Sequence, residues 1–173
     1  MALRPQPLPP GPGQESVWDY PRPAILRPSD RHVVVRFGGG VLADTRRAWR
    51  ALETSHPPTW YLPPEDVRMD WLVPLPGVGS VCEWKGPASY FDIVVPAGEG
   101  RAGAVARSAA WCYPRPTPGF APIAGFIAVY PGRMDSCTID GAPVRPQEGG
   151  FYGGWITDDV VGPFKGGPGT QGW

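Results

Sequence analysis

Between Ser80 and Tyr90 the chain reads SVCEWKGPASY. A thiol (Cys82), an indole (Trp84), an amine (Lys85) and a phenol (Tyr90) fall in this short stretch with Gly86, ahead of a run that alternates like a β-strand. A lysine beside an aromatic wall has two chemistries open to it. Stripped of water, it gives up its proton more readily and becomes a base or nucleophile. Kept charged, it grips a carboxylate or a phosphate. The plainer alternative is a surface lysine whose alkyl stem lies along Trp84. Cys82 stands three residues from that amine, and a neighbouring ammonium lowers a thiol's pKa. Thiolate catalysis also wants a base, and the only histidines, His32 and His56, stand in no cysteine-hydrolase context. A buried structural cysteine is the expected role.

Two further groups of residues have types suited to a site. In PEDVRMD, Arg68 either pairs with Asp70 as a helix-end ion pair or clamps a ligand carboxylate with two parallel hydrogen bonds. Trp111 and Tyr113 end a strand-like run and, two residues apart, point to the same face. They are either core or the wall of a ligand slot. Cys82, Cys112 and Cys137 lack the paired spacing of a zinc knuckle. GPFKGGPGT (162–170) has Gly-Gly after its lysine where a phosphate loop needs Ser or Thr, and FGGGVLAD lacks the GxGxxG spacing. No Gly-Ser turn with paired aspartates suits nucleotidyl transfer. The expectation is therefore no metal and no cofactor.

Composition narrows the class. The 173 residues point to one domain. Sixteen basic residues balance sixteen acidic ones, so the basic surplus of a nucleic-acid binder is absent. With 24 Gly and 25 Pro the chain has the composition of a disordered one, but 8 Trp, 6 Tyr and 6 Phe argue for a packed domain of short strands and turns. MALRPQPLPP has no apolar core of signal-peptide length, and no apolar run approaches a membrane span. Three cysteines cannot all pair within the chain. A reduced, cytoplasmic protein is expected.

The elements follow from local pattern. HVVVRF, GGG and VLAD read as a hairpin, and DSCTIDGAPV as a strand, an Asp140-Gly141 turn and a strand start. ASYFDIVV, AVARSAAWCYP and IAGFIAVYP read as strands, with a shorter one at Trp60–Leu62. TRRAWRALET is either a helical face or a bent strand. Pro64 is placed to open a short helix, with Glu65 and Asp66 in its first turn. VLADTRRAW…VRMD and AVARSAAW…GRMD echo each other, as two related β-units or by coincidence. The predicted fold is mainly β: two antiparallel sheets packed tent-like or as a small sandwich, with one short helix. A Pro-rich N-terminal arm (1–30), a β domain (31–144) and a Gly/aromatic C-terminal strap (145–173) divide the chain. Whether residues 1–15 are ordered stays open.

VRFGGGVLADT, PPTWYLPPEDV, CEWKGPASYFDIVV, SAAWCYPRP and IAGFIAVYP occur in the order seen in the uncharacterised bacterial family called domain of unknown function 427. The resemblance covers roughly Arg31 to Val144. The ending FYGGWITDDVVGPFKGGPGTQGW is similar to that of an actinobacterial branch, with Glu83 and Asp158 standing where proline often does. The resemblance implies two sheets meeting like the sides of a tent with a pocket between them. It implies that Trp84-Lys85-Gly86, Tyr90 and Trp111 to Tyr113 matter, and it implies no activity.

The expectation is that CEWKGPASY rims a ligand slot. Gly86 turns the chain, Trp84 and Trp111 wall the slot, Lys85 charges its mouth, Tyr90 and Tyr113 supply hydroxyls, and Arg68 and Asp70 close it from the helix side. Three functions fit. The first is binding of a small anionic or aromatic ligand. The second is metal-independent acid–base catalysis by Lys85 with Tyr90 or Asp70. The third is an interaction module or homodimer built on the aromatic straps.

Overall fold

The computed structural model describes residues 3–173. The strands, in chain order, are β1 (Glu15–Ser16), β2 (Ile25–Ser29), β3 (Val33–Phe37), β4 (Gly40–Thr45), β5 (Ala48–Leu52), β6 (Thr59–Tyr61), β7 (Leu72–Cys82), β8 (Gly86–Val95), β9 (Ala104–Cys112) and β10 (Ala128–Val129). They continue with β11 (Ser136–Ile139), β12 (Ala142–Pro143), β13 (Arg145–Pro146), β14 (Trp155–Ile156) and β15 (Val160–Val161). Two four-stranded antiparallel sheets carry the body, ordered β12-β11-β3-β4 and β10-β9-β8-β7. A three-stranded antiparallel sheet, β2-β5-β6, joins them, with a short parallel pair β1-β15 and an antiparallel pair β13-β14.

Alternation builds the core. In β3 the buried Val33, Val35 and Phe37 alternate with Val34 and Arg36, and Gly38 and Gly39 make the turn into β4 at φ of +62° and +80°. Val33, Val35 and Ile139 of the first sheet pack in one cluster with Ile93, Val95 and Ala106 of the second, together with Trp71 and Trp155. A second cluster joins Leu26, Ala51 and Tyr61 of the three-stranded sheet to Ala88, Trp111 and Ala128 of the second. Leu62, just past β6, and Ile127, just before β10, exchange both backbone hydrogen bonds at 2.8 Å, which ties those two sheets edge to edge.

The short helix expected at Pro64 is present as one 3-10 turn, Pro64–Asp66, with Glu65 and Asp66 in it, and another follows at Met69–Trp71. Val67 bridges Ala43 and the Arg68 N–H donates to the Leu42 carbonyl at 2.8 Å, so a sheet edge captures the backbone before an α-helix can propagate. The apolar run IAGFIAVYP contributes only Ala128–Val129 as strand, because a 3-10 segment, Pro118–Ile123, and Gly125 at φ +73° occupy its start. The eleven-residue β7 had no counterpart in the sequence reading. Its prolines and glycines mimic a loop, and it lies at a sheet edge, where a missing N–H costs no ladder bond. TRRAWRALET resolves as a strand, Ala48–Leu52.

The two ends of the chain bind each other. The Leu8 N–H donates to Gly162 O at 2.9 Å, the Glu15 N–H to Asp159 O at 2.8 Å, and the Trp18 indole N–H to Pro163 O at 2.8 Å. Val17, Trp18 and Tyr20 are buried with Leu52 and Val160 in a third cluster. No helix among the described residues is long and apolar enough to cross a membrane.

Candidate functional site

The hairpin between β7 and β8 supplies Cys82 to Gly86. Gly86 takes φ +100°, which a side chain would resist, and the Thr117 hydroxyl donates to the Trp84 carbonyl at 2.6 Å. Lys85 therefore projects from a held turn. Its Nζ lies 3.6 Å from Cys82 Sγ, 5.9 Å from the Tyr113 ring centre and 5.6 Å from that of Phe120. Tyr90 in β8 stands opposite Trp111 in β9, and its hydroxyl shares a 2.8 Å hydrogen bond with Ser80 Oγ. Trp111 and Tyr113 share one face, as their spacing requires, while Ala110 and Cys112 face the main core.

These side chains line a cavity of about 360 Å³, with Trp84, Lys85, Tyr90, Trp111 and Tyr113 all on it. Arg68 and Asp70 are not among its lining residues. They pair with each other at 2.8 Å on an exposed turn, and the Arg68 guanidinium sits 4.3 Å from the Trp71 ring centre. The structure thus places them apart from the cavity that gathers the other five expected site residues.

Four residues that sequence reading missed complete the walls. Tyr61 and Tyr130 bring two more phenols; Tyr61 lies 6.2 Å from Tyr113 and Tyr130 lies 4.6 Å from Trp111, ring centre to ring centre. Burial first, and then the neighbouring Tyr90 phenol, pushes Tyr130 up to about 12; burial likewise holds Tyr61 and Tyr113 above the ordinary tyrosine value. The phenols are neutral donors and acceptors.

The other pair is Glu53 and His56, on the turn after β5. His56 Nε2 lies 3.0 Å from Glu53 Oε2. Ser55 adopts φ +72° between them, its N–H bound to Val17 O at 3.0 Å and its carbonyl accepting from the Lys165 N–H at 2.9 Å. Both terminal segments thus clamp the turn that presents this pair. Gln147, buried, fixes the tautomer. Its Oε1 accepts the Gly154 N–H at 3.1 Å and its Nε2 donates to Lys165 O at 2.6 Å, so Nε2 also donates to His56 Nδ1 at 3.1 Å. The imidazole proton then sits on Nε2, the nitrogen 3.0 Å from Glu53 Oε2. Burial alone would raise Glu53, but His56 at its Oε2, helped by the charges of Lys85 and Arg22, outweighs it and holds the carboxyl below its usual range.

The C-terminal segment closes one side. Phe151, Tyr152 and Gly153 line the cavity, and a Cβ on Gly153 would overlap the Trp111 ring. No group of three or more His, Cys, Asp or Glu side chains among the described residues is arranged to hold a metal ion.

The fold and cavity define an all-β protein whose antiparallel sheets frame an aromatic-walled pocket bearing one amine, Lys85, and two carboxylates, Glu53 and the exposed Glu83. The chain belongs to the family described as domain of unknown function 427, which matches residues 25–140. Lys85, Tyr90, Trp111 and the Glu53–His56 pair fall inside that match; Gln147 and the Phe151–Gly153 cover lie beyond it. A comparison with curated proteins found no match.

Proposed function

We propose that the protein binds a small, flat organic ligand in the cavity between Trp111, Tyr113 and the Lys85 hairpin. One observation carries this reading. Lys85 stands on a concave, mostly aromatic surface with its ammonium paired to no carboxylate among the described residues. A half-buried ammonium with no carboxylate within 4.0 Å keeps donors free, and a ligand that supplies the missing polar partner gains from them. The volume, about 360 Å³, sits at the lower end of the range of small-molecule sites, roughly 300–1,000 Å³. The three cysteines are all unpaired thiols, which supports a reducing, cytoplasmic setting. In this reading the 31–144 body carries the cavity and the 145–173 strap covers it.

A thermal-shift screen of wild type and Lys85→Ala against a metabolite library tests the proposal, because a ligand of the native state raises Tm by mass action. A ligand class that stabilises wild type and not the variant is the expected result. Equal behaviour of the two proteins across the library contradicts it.

A second reading, metal-independent catalysis, rests on Lys85 and Tyr90 sharing the cavity. Turnover of a bound compound separates it from simple binding. An interaction role for the strap, including a homodimer, is supported by Phe151, 76% exposed in a glycine-flanked turn. Sedimentation of wild type and Phe151→Ser tests it: a concentration-dependent dimer lost in the variant supports the role, and a monomer in both argues against it.

A further inference from the structure

We infer that the cavity takes a zwitterion of amino-acid type with an aromatic side chain, its carboxylate on Lys85 Nζ, its ammonium on Glu53 and its ring against Trp111. The inference rests on the reading of the cavity as a ligand site and names the class of ligand.

Opposite charges lining one cavity normally close on each other. Here they do not. Glu53 and Lys85 both line the cavity, yet no ion pair within 4.0 Å joins them. Glu53 spends Oε2 on His56 and leaves Oε1 without a hydrogen-bond partner among the described residues. Lys85 has three protons and a single weak partner, the Cys82 thiol at 3.6 Å. Each charge therefore keeps unused hydrogen-bonding capacity toward the space between them.

The rest of the wall leaves that pair of charges unopposed. His56 has both ring nitrogens engaged, Nδ1 by Gln147 and Nε2 by Glu53, and offers the cavity no free hydrogen-bonding group. The phenols of Tyr61, Tyr113 and Tyr130 are held protonated by burial. Glu83, the other charged residue on the cavity, is exposed. One buried-side anion and one cation thus face an aromatic wall. A purely anionic ligand would meet Glu53 unfavourably, and a purely cationic one would meet Lys85 in the same way. A ligand carrying both charges satisfies both, and its ring replaces water against Trp111 and the tyrosines.

Isothermal titration of the intact protein with matched compounds tests this. The probes are L-tryptophan, L-tyrosine and L-phenylalanine, each with the amine that lacks its carboxylate and the acid that lacks its amine. At least one amino acid is expected to bind tenfold or more tighter than both of its partners. In Lys85→Gln the advantage over the amine should vanish while the advantage over the acid remains. Glu53→Gln, which keeps an acceptor for His56, should do the reverse. Lys85 lies on the rim, so its variant carries the test even where Glu53→Gln folds poorly. An amine or an acid that binds as tightly as its amino acid overturns the inference. So does a metabolite screen that yields Lys85-dependent ligands of another class while no amino acid binds, and in that case the ligand site itself stands. A screen with no Lys85-dependent ligand at all removes both.

Discussion

Gly153 and Trp111 touch so closely that a Cβ at position 153 would lie inside the indole. The strap is thereby seated on the cavity wall by a residue with no side chain. Gly153→Ala must push the indole or the strap outward, and overpacking of this kind costs about 1–3 kcal/mol. Gly150, where a Cβ meets nothing within 4 Å, is the matched control. Urea unfolding is expected to show a lower midpoint for Gly153→Ala and little change for Gly150→Ala. Equal midpoints would mean that the strap does not rest on Trp111.

Gln147 joins three segments through one side chain: Gly154, Lys165 and His56. Gln147→Leu preserves bulk and leaves the Gly154 N–H and His56 Nδ1 without partners. Each unsatisfied buried group costs about 1–3 kcal/mol. Amide exchange at Gly154 and at Lys165, whose N–H holds the Ser55 carbonyl, should accelerate ahead of exchange in β3 or β9. Uniform acceleration across the molecule would point to a global effect instead.

Glu53 is held below its ordinary value in the folded state despite burial, chiefly by His56. The unfolded chain therefore binds its proton more readily than the folded one. The stability this contributes is fully present above the unfolded glutamate value, about 4.3, and is lost as pH falls through the lower folded value. Tm measured from pH 6 downward should drop less steeply between pH 5 and pH 3 in Glu53→Gln than in wild type. Parallel profiles would show that Glu53 is not held by His56.

The three thiols differ in access. Cys82 is half-buried at the cavity rim, whereas Cys112 and Cys137 are buried, and burial raises both of the latter, Cys137 to about 12. Iodoacetamide at pH 8 followed by peptide mass spectrometry should find Cys82 modified first and the other two only on unfolding. Early modification of Cys137 would contradict its place in the core.

Much of the cavity's wall was legible because its residues are close in sequence or share a period. Trp84, Lys85 and Tyr90 belong to one hairpin, and the two-residue spacing of Trp111 and Tyr113 puts both on one face of β9 and its extension. The Val33–Phe37 alternation and its glycine turn showed the first hairpin for the same local reason. Glu53 and His56 gave no such signal. They sit in a turn among prolines, and the side chain that sets the histidine tautomer, Gln147, is 91 residues away. That Arg68 and Asp70 lie outside the cavity was not legible, because a nearby opposite charge reads the same in a sequence whether it faces a cavity or solvent. The helix start at Pro64 was legible because its signal is local, whereas the sheet edge that keeps it to one turn, at Leu42 and Ala43, was not.

The most direct measurement is a crystallographic fragment soak of the intact protein with small aromatic carboxylates and amino acids. Density for fragments lying against Trp111, with a carboxylate within hydrogen-bond distance of Lys85 Nζ, is the expected result. Fragments bound only elsewhere on the surface, with this cavity holding solvent alone, would contradict the assignment of the cavity as the ligand site.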